Sequence, residues 1–563
     1  MVKMVNNKIK ETGATFTPKG LADFLASQIF NSLEKKNSLL KVLDPACGNG
    51  NLLSAMDDLL QSKNLPHSLY GYDTDINYIN DAKVKLASNY AITVNLKFED
   101  FLLDDSSINL DLFSTQEKRE LVDIIIANPP YVRTQVLGAE RSQLIAKKYN
   151  LKGKIDLYYP FLISMTNSLK AGGIMGVITS NRYLTTKSGG QIRKFLLDNY
   201  EVIKVIDLGD TKLFDAAVLP AIFIGRKRIG KKSAISNGTF SKIYETLNDN
   251  ISNIIQTESV FEILNKNVPG IYGVAGKAFS YNTGLLKHSA NHLDIWQMTD
   301  EAENEWIDII KKNAAFFVGE KFKVRVGIKS CADKVFIKDW TKETVIPEDV
   351  FFRKLISQEN IKRWKLSCKS SDVVLYPHYD DNGKRRVYDI EQYPKAKVFF
   401  ENHKETLMTR KYLIEGGRKW YELWVPQNPA LWKMPKLVFP DISLEPRFYY
   451  DNNGAIVNGN CYWIVAQNSE EENLLLLIQG VANSELMSKY HDLCFNNKLY
   501  SGRRRYLSQY IEKYPIPDPN SKASLKIISL VKKLNDDSIP EDDIIDLENR
   551  LNIAVKEAFG ILD

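Results

Sequence analysis

Asn128-Pro129-Pro130-Tyr131 closes an apolar run over 121–127, and its residue types suit the handling of an amino group on a planar ring. An exocyclic amine of the adenine kind is a poor nucleophile, because its lone pair is delocalised into the ring. An asparagine side-chain oxygen and the carbonyl of the following proline can both accept its protons. That localises the lone pair and aims it at an electrophile without a strong base. Proline suits the second place because it donates no N–H and holds φ fixed. A tyrosine two places further on can stack on the face of the same ring. The same quartet also makes an ordinary Asn-Pro turn after a buried strand, so the surrounding elements must decide between the two.

Those elements alternate between strand and helix from residue 38 to about 228. The run 39–44 reads as a strand and 45–50 as a turn. A helix over 51–61 then places Leu52, Leu53, Met56, Leu59 and Leu60 on one face. Strands are expected over 68–72 and 94–98, with a helix over 76–90 between them, and the fourth strand carries the quartet. A helix over 157–169 is expected to stop at Gly172-Gly173, ahead of a strand over 174–179. A helix over 190–199 leads to strands over 202–208 and 217–225. This alternation predicts an α/β fold: a mostly parallel sheet covered on both faces. Ligands then bind beyond the carboxyl ends of the strands, where strand order switches.

Three of those strand ends carry acids. Asp44 precedes a turn containing Ala46, where Gly48 and Gly50 allow the backbone to approach a ligand closely. No Lys-Ser or Lys-Thr follows, so the turn is not a phosphate-cradling loop. It suits a nucleoside carrying an amino acid. Asp73 stands where an acid can bind two ribose hydroxyls, with Asp75 an alternative that spacing leaves open. Asp100 can accept from an adenine amino group, with Phe101 alongside the ring. Singly, such acids more often cap helices or sit in solvated loops. Together and in order at strand ends, they point to S-adenosylmethionine.

With 563 residues the chain should divide into two or more domains. Its 44% hydrophobic and 26% charged content is that of an ordinary globular protein, and a net charge of +6 is compatible with nucleic acid without demanding it. Cys47, Cys331, Cys368, Cys461 and Cys494 lie far apart with no C-x-x-C pair, which argues against a zinc site or disulfide framework and for a reducing compartment. No apolar leader or bilayer-spanning run is evident, so a soluble, cytoplasmic protein is expected. The first cofactor-side motif begins near residue 13, which is expected to leave no room for an N-terminal cleavage domain.

The stretch 226–290 reads as a less regular connector. Beyond it the pattern becomes strand-like and loop-rich, with many aromatics, as in 322–328. Basic and aromatic residues interleave in Ile361-Lys-Arg-Trp364, Arg418-Lys419-Trp-Tyr421 and 498–506. Cations for phosphates beside rings for bases are what a DNA-reading surface needs. Arg418, Lys419, Arg503, Arg504 and Arg505 are the candidates. The arginine triplet stands out, because three adjacent charges repel unless anions are near. A solvated face over a packed ring is the plainer reading of each cluster. Two amphipathic helices, over 524–535 and 542–558, end the chain.

Gly13-Ala-Thr-Phe-Thr-Pro18, Asp44-Pro-Ala-Cys-Gly-Asn-Gly50, Tyr72-Asp73, Glu99-Asp100-Phe101-Leu102 and Asn128-Pro-Pro-Tyr131 resemble the ordered motifs of the gamma-class, TaqI-type adenine-N6 DNA methyltransferases. The resemblance covers roughly the first 230 residues well and the remainder more loosely, including the stretch 327–336. It implies a class I methyltransferase domain over 1–285, with a doubly wound, mostly parallel sheet carrying an antiparallel strand. A mixed α+β target-recognition domain would follow over 286–563.

By this likeness Thr17 binds the methionine carboxylate, Asp44 faces the methionine amino group, and Ala46 and Gly48 line the same loop. Asp73 holds the ribose, while Asp100 with Phe101 holds the cofactor adenine. Asn128, at the cofactor's edge, and Pro129 accept from the target amine. Tyr131 stacks on the target base and Phe214 covers its other face, although Phe214 also reads as a core residue. The loop 132–141 has no residue whose role spacing assigns. The implied activity is methyl transfer to N6 of a flipped-out adenine in double-stranded DNA, with no metal. A restriction-modification or orphan role is implied, with a cognate restriction endonuclease as a candidate partner and the bacterial or archaeal cytoplasm, at the nucleoid, as its place. The same quartet also occurs in shorter methylases of release-factor glutamine or RNA, and a DNA-binding subunit that kept an inactive methylase fold is a third reading.

Overall fold

A computed structural model of the chain describes residues 16–34, 39–87, 92–103, 121–131, 138–150, 156–213, 219–230, 238–246, 253–288, 291, 293–367, 372–495, 499 and 502–561. The chain divides into two compact units, Met1–Glu301 with Leu499–Gly502, and Ala302–Lys498 with Arg503–Asp563. The division falls beyond residue 285 because Leu286, Trp296 and Met298 are buried in the core of the first unit.

The first unit is built on alternation. Its opening elements are α1 (Lys19–Asn31), β1 (Leu40–Asp44), α2 (Asn51–Ser62), β2 (His67–Asp73), α3 (Ile76–Leu86), β3 (Thr93–Phe98) and β4 (Val122–Ala127). They continue as α4 (Ala139–Lys148), α5 (Tyr158–Ser168), β5 (Leu169–Ser180), α6 (Gly190–Asn199), β6 (Tyr200–Asp207) and β7 (Pro220–Lys227). Successive strand residues point to opposite faces. Val42, Ile124 and Ile126 therefore enter one core with Leu25, Ile29, Leu53 and Met56 of α1 and α2. Leu43, Ile125 and Ala127 enter the other, with Phe161, Leu162 and Met165 of α5. Burial on both faces is what makes these strands read as continuous apolar runs.

The strands order as β3-β2-β1-β4-β5-β7-β6, with β7 antiparallel to both neighbours and the first five parallel. The expected mostly parallel sheet with an antiparallel strand is therefore present. Beside β6 it extends through β8 (Thr239–Thr246), β9 (Ile255–Gln256), β10 (Gly270–Val274) and β11 (Lys277–Leu285), giving eleven strands in all. The stretch expected as a connector thus contributes four strands to the sheet and a helix, Val260–Lys266. Its strands carry mixed polar and apolar residues, which hid them.

A second difference concerns Gly172-Gly173. The helix ends at Ser168 and β5 begins at once at Leu169, running through the glycine pair. There β5 carries extra residues opposite Asp123, with register shifting from Val122↔Leu169 to Ile124↔Ile174. Gly172 has φ +80°, and a Cβ on Gly173 would lie 2.9 Å from the Asp123 carbonyl oxygen. The glycines serve a bulge rather than a helix end. Lys170 Nζ closes it by donating to both Asp123 carboxylate oxygens at 2.8 and 2.9 Å.

The second unit is mixed α+β. Arg325–Val326, Cys461–Val465, Lys436–Pro440 and Tyr449–Asp451 form an antiparallel four-stranded sheet. Helices Ser469–Ala482, Lys522–Leu534 and Glu541–Ala558 pack together. Its core is aromatic, with Trp340, Phe351, Phe399, Phe400, Trp432 and Trp463 buried and the last two tryptophans stacked 4.6 Å apart. Among the described residues no helix is long and apolar enough to cross a membrane, and no group of His, Cys, Asp and Glu could hold a metal ion.

Candidate active site

β1 and β4 are neighbours in the sheet, with Val42 against Ile124 and Leu43 against Ile125. Their carboxyl ends, bearing Asp44 and Asn128, therefore open on the same side at the point where strand order switches. β2 adds Asp73 and the loop after β3 adds Asp100. The acids picked from sequence converge because parallel strands end together.

Asp44 is 1% exposed, and Ala46 N–H donates to one of its oxygens at 3.1 Å. Burial, with Asp73 close by, pushes its carboxyl up to about 8 against the Ala46 hydrogen bond. No Lys, Arg or His pairs with it among the described residues. A buried carboxylate so placed calls for a cation, and an amino-acid ammonium fits. Asp73 accepts from Gly48 N–H at 2.9 Å and Asp75 N–H at 2.9 Å, and burial raises its pKa too. Gly48 has φ +49°, which lets its N–H turn toward Asp73. Asp75 caps α3 through Asn77 N–H at 2.9 Å, so of the two alternatives it is Asp73 that lies beside Gly48.

Asp100 accepts from Leu102 N–H at 3.0 Å and pairs with Arg141 at 2.8 Å. Spacing gave no role to Arg141; the ion pair sets it beside the acid. Phe101 turns away into the core at 1% exposure, 6.2 Å from Phe161 in a stack and 5.3 Å from Tyr72 edge-on. Its contribution is to hold the Asp100 backbone in place from below.

Asn128 lies between Thr17 and Tyr131. Its Nδ2 donates to Thr17 Oγ1 at 2.9 Å, while Tyr131 Oη–H donates to its Oδ1. Thr17 is 5% exposed, and its backbone carbonyl accepts from Asn51 Nδ2 at 2.7 Å. Asn51 in turn accepts from Lys85 Nζ. Pro129 is buried, and burial pushes the Tyr131 phenol upward, so it remains a neutral donor. Phe214 lies outside the described residues. Sequence reasoning missed Asn51, Lys85 and Arg141, because each acts on a partner far along the chain.

Residues 38–214 match the Eco57I restriction-modification methylase family and 353–516 match the TaqI-like C-terminal specificity domain. The type II methyltransferase M.BanIII of Aneurinibacillus aneurinilyticus is 41% identical over 569 residues, covering 98% of each chain. The chain belongs to the TaqI-type type II DNA methyltransferases. M.BstVI of Geobacillus stearothermophilus is 24% identical, covering 90% of each chain. The solved DrdV–DNA complex shares the fold at TM-score 0.52 and 13% identity, over 93% of this chain and 57% of its own. The first unit of this DNA methyltransferase is thus the one built on the mostly parallel sheet described above.

The basic clusters of the second unit look different once built. Arg418 donates to Glu422 at 3.1 and 3.0 Å and to the Trp424 carbonyl at 2.8 Å. Arg504 makes a two-pronged pair with Asp492 at 2.6 and 2.8 Å, and Arg505 reaches Asp441 at 2.7 Å. Alternation along the short strand Arg504–Arg505 sends the two guanidiniums to different carboxylates. The triplet does need anions, and the protein itself supplies two. Arg363 likewise pairs with Glu445 and Glu548, 2.9 and 3.0 Å away. Arg503 is exposed, and Lys419 stands half-exposed, 3.7 Å from Asp389 and over the Tyr421 ring.

Proposed function

We propose that this methyltransferase modifies N6 of an adenine rotated out of double-stranded DNA. The observation that carries the reading is the Asn128 amide at the end of the strand next to the one bearing Asp44, its oxygen facing a hydroxyl donor and its nitrogen held by Thr17. An acceptor so placed suits an amine hydrogen. Asn128 Oδ1 and the Pro129 carbonyl accept hydrogen bonds from the two N–H groups of the target amine and turn its lone pair outward. Tyr131 stacks on the base, and Phe214 closes its other face.

S-adenosylmethionine supplies an already activated methyl group on a sulfonium when bound. Asp44 holds its ammonium, Asp73 its ribose, Thr17 its carboxylate and Asp100 its adenine. The chain's contribution is positioning and electrostatic complementarity, with no covalent nucleophile. Unstacking the base costs a few kcal/mol, which contacts to DNA must offset. Arg503 and Lys419 are the cations we assign to phosphates. The protein would work in the cytoplasm on chromosomal DNA, alongside a cognate restriction endonuclease.

Labelled methyl incorporation into duplex DNA, followed by nucleoside analysis, tests the assignment. N6-methyladenine is the expected product. Asn128→Ala should cut turnover at least about 100-fold while cofactor affinity stays close to wild type. Wild-type turnover by that variant, or label in cytosine, sinks the proposal.

A further inference from the structure

We infer that Thr17 is the positioning residue that sets the polarity of the Asn128 amide, and that an anionic group bound in the cofactor pocket commits it to that task. The inference rests on Asn128 activating an amine, as proposed above. The two ends of an asparagine amide are nearly the same size, so a half-turn about χ2 exchanges acceptor for donor. In the wrong orientation Asn128 would present an NH2 group to the target NH2 group. Two donors would then face each other and the lone pair would not be localised. Something must forbid that half-turn.

Thr17 accepts from the Asn128 amide nitrogen through Oγ1 at 2.9 Å. It stands ahead of α1, 5% exposed, with its carbonyl tied to Asn51 Nδ2 at 2.7 Å. Asn51 is held at its other end by Lys85 of α3. The backbone at Thr17 is thereby fixed between two helices. A hydroxyl oxygen can accept or donate, so its oxygen alone does not choose between the two amide orientations. Its own hydrogen decides. No acceptor for that hydrogen is found among the described residues, whereas Asn128 Nδ2 is already bound to the oxygen.

An anionic acceptor arriving in the adjoining pocket would take the Thr17 hydrogen. The oxygen could then only accept, Asn128 Nδ2 would be the group that must face it, and Oδ1 would be left toward the target amine. Tyr131, donating to Oδ1, already favours the same orientation. Cofactor occupancy would in this way pre-set the acceptor that the base meets. The hydroxyl then influences the chemical step as well as cofactor affinity, and the two effects separate in kinetics.

The test uses the full-length protein, labelled S-adenosylmethionine and a duplex bearing the site mapped by methylation-sensitive sequencing. At saturating cofactor and DNA, Thr17→Val should lower kcat by about 10- to 100-fold, and Thr17→Ser should restore most of it. Thr17→Ala, which adds no methyl in place of the hydroxyl, should match the valine variant. It keeps the test open if valine disturbs folding, which thermal melting would report. A kcat unchanged in both hydroxyl-less variants, with only the cofactor KM raised, overturns the inference and leaves Thr17 as a cofactor contact. Wild-type protein that places no methyl on DNA adenine would instead remove the amine-activating role of Asn128. That outcome is read before any variant is made.

Discussion

Acidifying the solution from pH 8 to pH 6 should weaken cofactor binding to the protein by about 20-fold, through Asp44. Its carboxyl is pushed up to about 8 by burial and by Asp73, with only the Ala46 N–H opposing. The ammonium of an amino-acid ligand binds the ionised form, because an opposite charge within a few ångströms favours it. At pH 6 about 1% of a group with that pKa is ionised, and at pH 8 about half. Over the same interval an α-amino group goes from almost fully charged to about two-fifths charged. The product of the two fractions rises about 20-fold, and it falls again above pH 8 as the ligand loses its own charge. Binding near pH 7 should also release about 0.8 of a proton, the roughly 0.9 lost from Asp44 less the roughly 0.1 taken up by the ligand amine. Titration calorimetry across pH, in two buffers of different ionisation enthalpy, measures both. Asp44→Asn keeps the shape and has no proton to lose, so its acid limb should vanish while the alkaline limb stays. It should also bind about 30-fold more weakly at pH 8, the fold-change equivalent to losing about 2 kcal/mol of a desolvated charge pair. An affinity flat from pH 6 to 8 in the wild type, or an acid limb surviving in the asparagine variant, would refute the placing of the ammonium at Asp44.

Tyr131→Phe removes the hydroxyl that donates to Asn128 Oδ1 and keeps the ring for stacking. The target amine then has one internal competitor fewer, and the KM for DNA should drop about two- to tenfold in steady-state methylation assays; a rise would show the hydroxyl to be a base contact. Arg503→Ala should lower DNA affinity and reduce the magnitude of the salt-dependence slope by about one, measured by fluorescence anisotropy over a salt series. Arg504→Ala should chiefly lower the melting temperature, since its charge is paired with Asp492. Lys436 and Asp451 are 2.6 Å apart with side chains 0% and 1% exposed, and Lys436 Nζ also donates to the Trp432 carbonyl at 2.7 Å. Lys436→Met leaves that carboxylate buried and unpaired, which should destabilise the fold by about 3–5 kcal/mol; calorimetry should show most of the loss recovered in the double variant with Asp451→Leu.

The sheet was legible because two-sided burial writes itself along each strand: Val42 and Leu43, or Ile124 and Ile125, are apolar in succession and belong to different cores. Gly172-Gly173 was misread for a physical reason. A helix stop and a β-bulge both accept glycine at positive φ, and the choice is made by Asp123, 47 positions before the Lys170 that binds it. The added strands β8 to β11 carry no continuous apolar run, because polar residues and glycines interrupt them. The three acids lie at one edge of the sheet because parallel strands bring their ends together whatever the loop lengths. The arginine triplet shows the converse. Repulsion did announce a need for anions, but Asp492 and Asp441 stand 12 and 64 positions away from their arginines. No spacing rule reaches that far, so an ion pair within the fold read as a surface for phosphates.

The same distinction orders the site itself. Asp73 has backbone donors on both oxygens, Asp100 has Leu102 N–H and Arg141, and Asn128 has Thr17 and Tyr131. A ligand group reaching any of these must share or displace a bond already made, so the net gain there is the small difference between two good hydrogen bonds. Such contacts discriminate geometry and chemistry more than they add affinity. Asp44 differs, since a charge buried at 1% exposure with one neutral donor has most of its solvation lost and little returned. The largest gain on binding a cationic ligand group is therefore expected at Asp44. Affinity is concentrated at that carboxylate, and the polar contacts around Asn128 are left to set orientation.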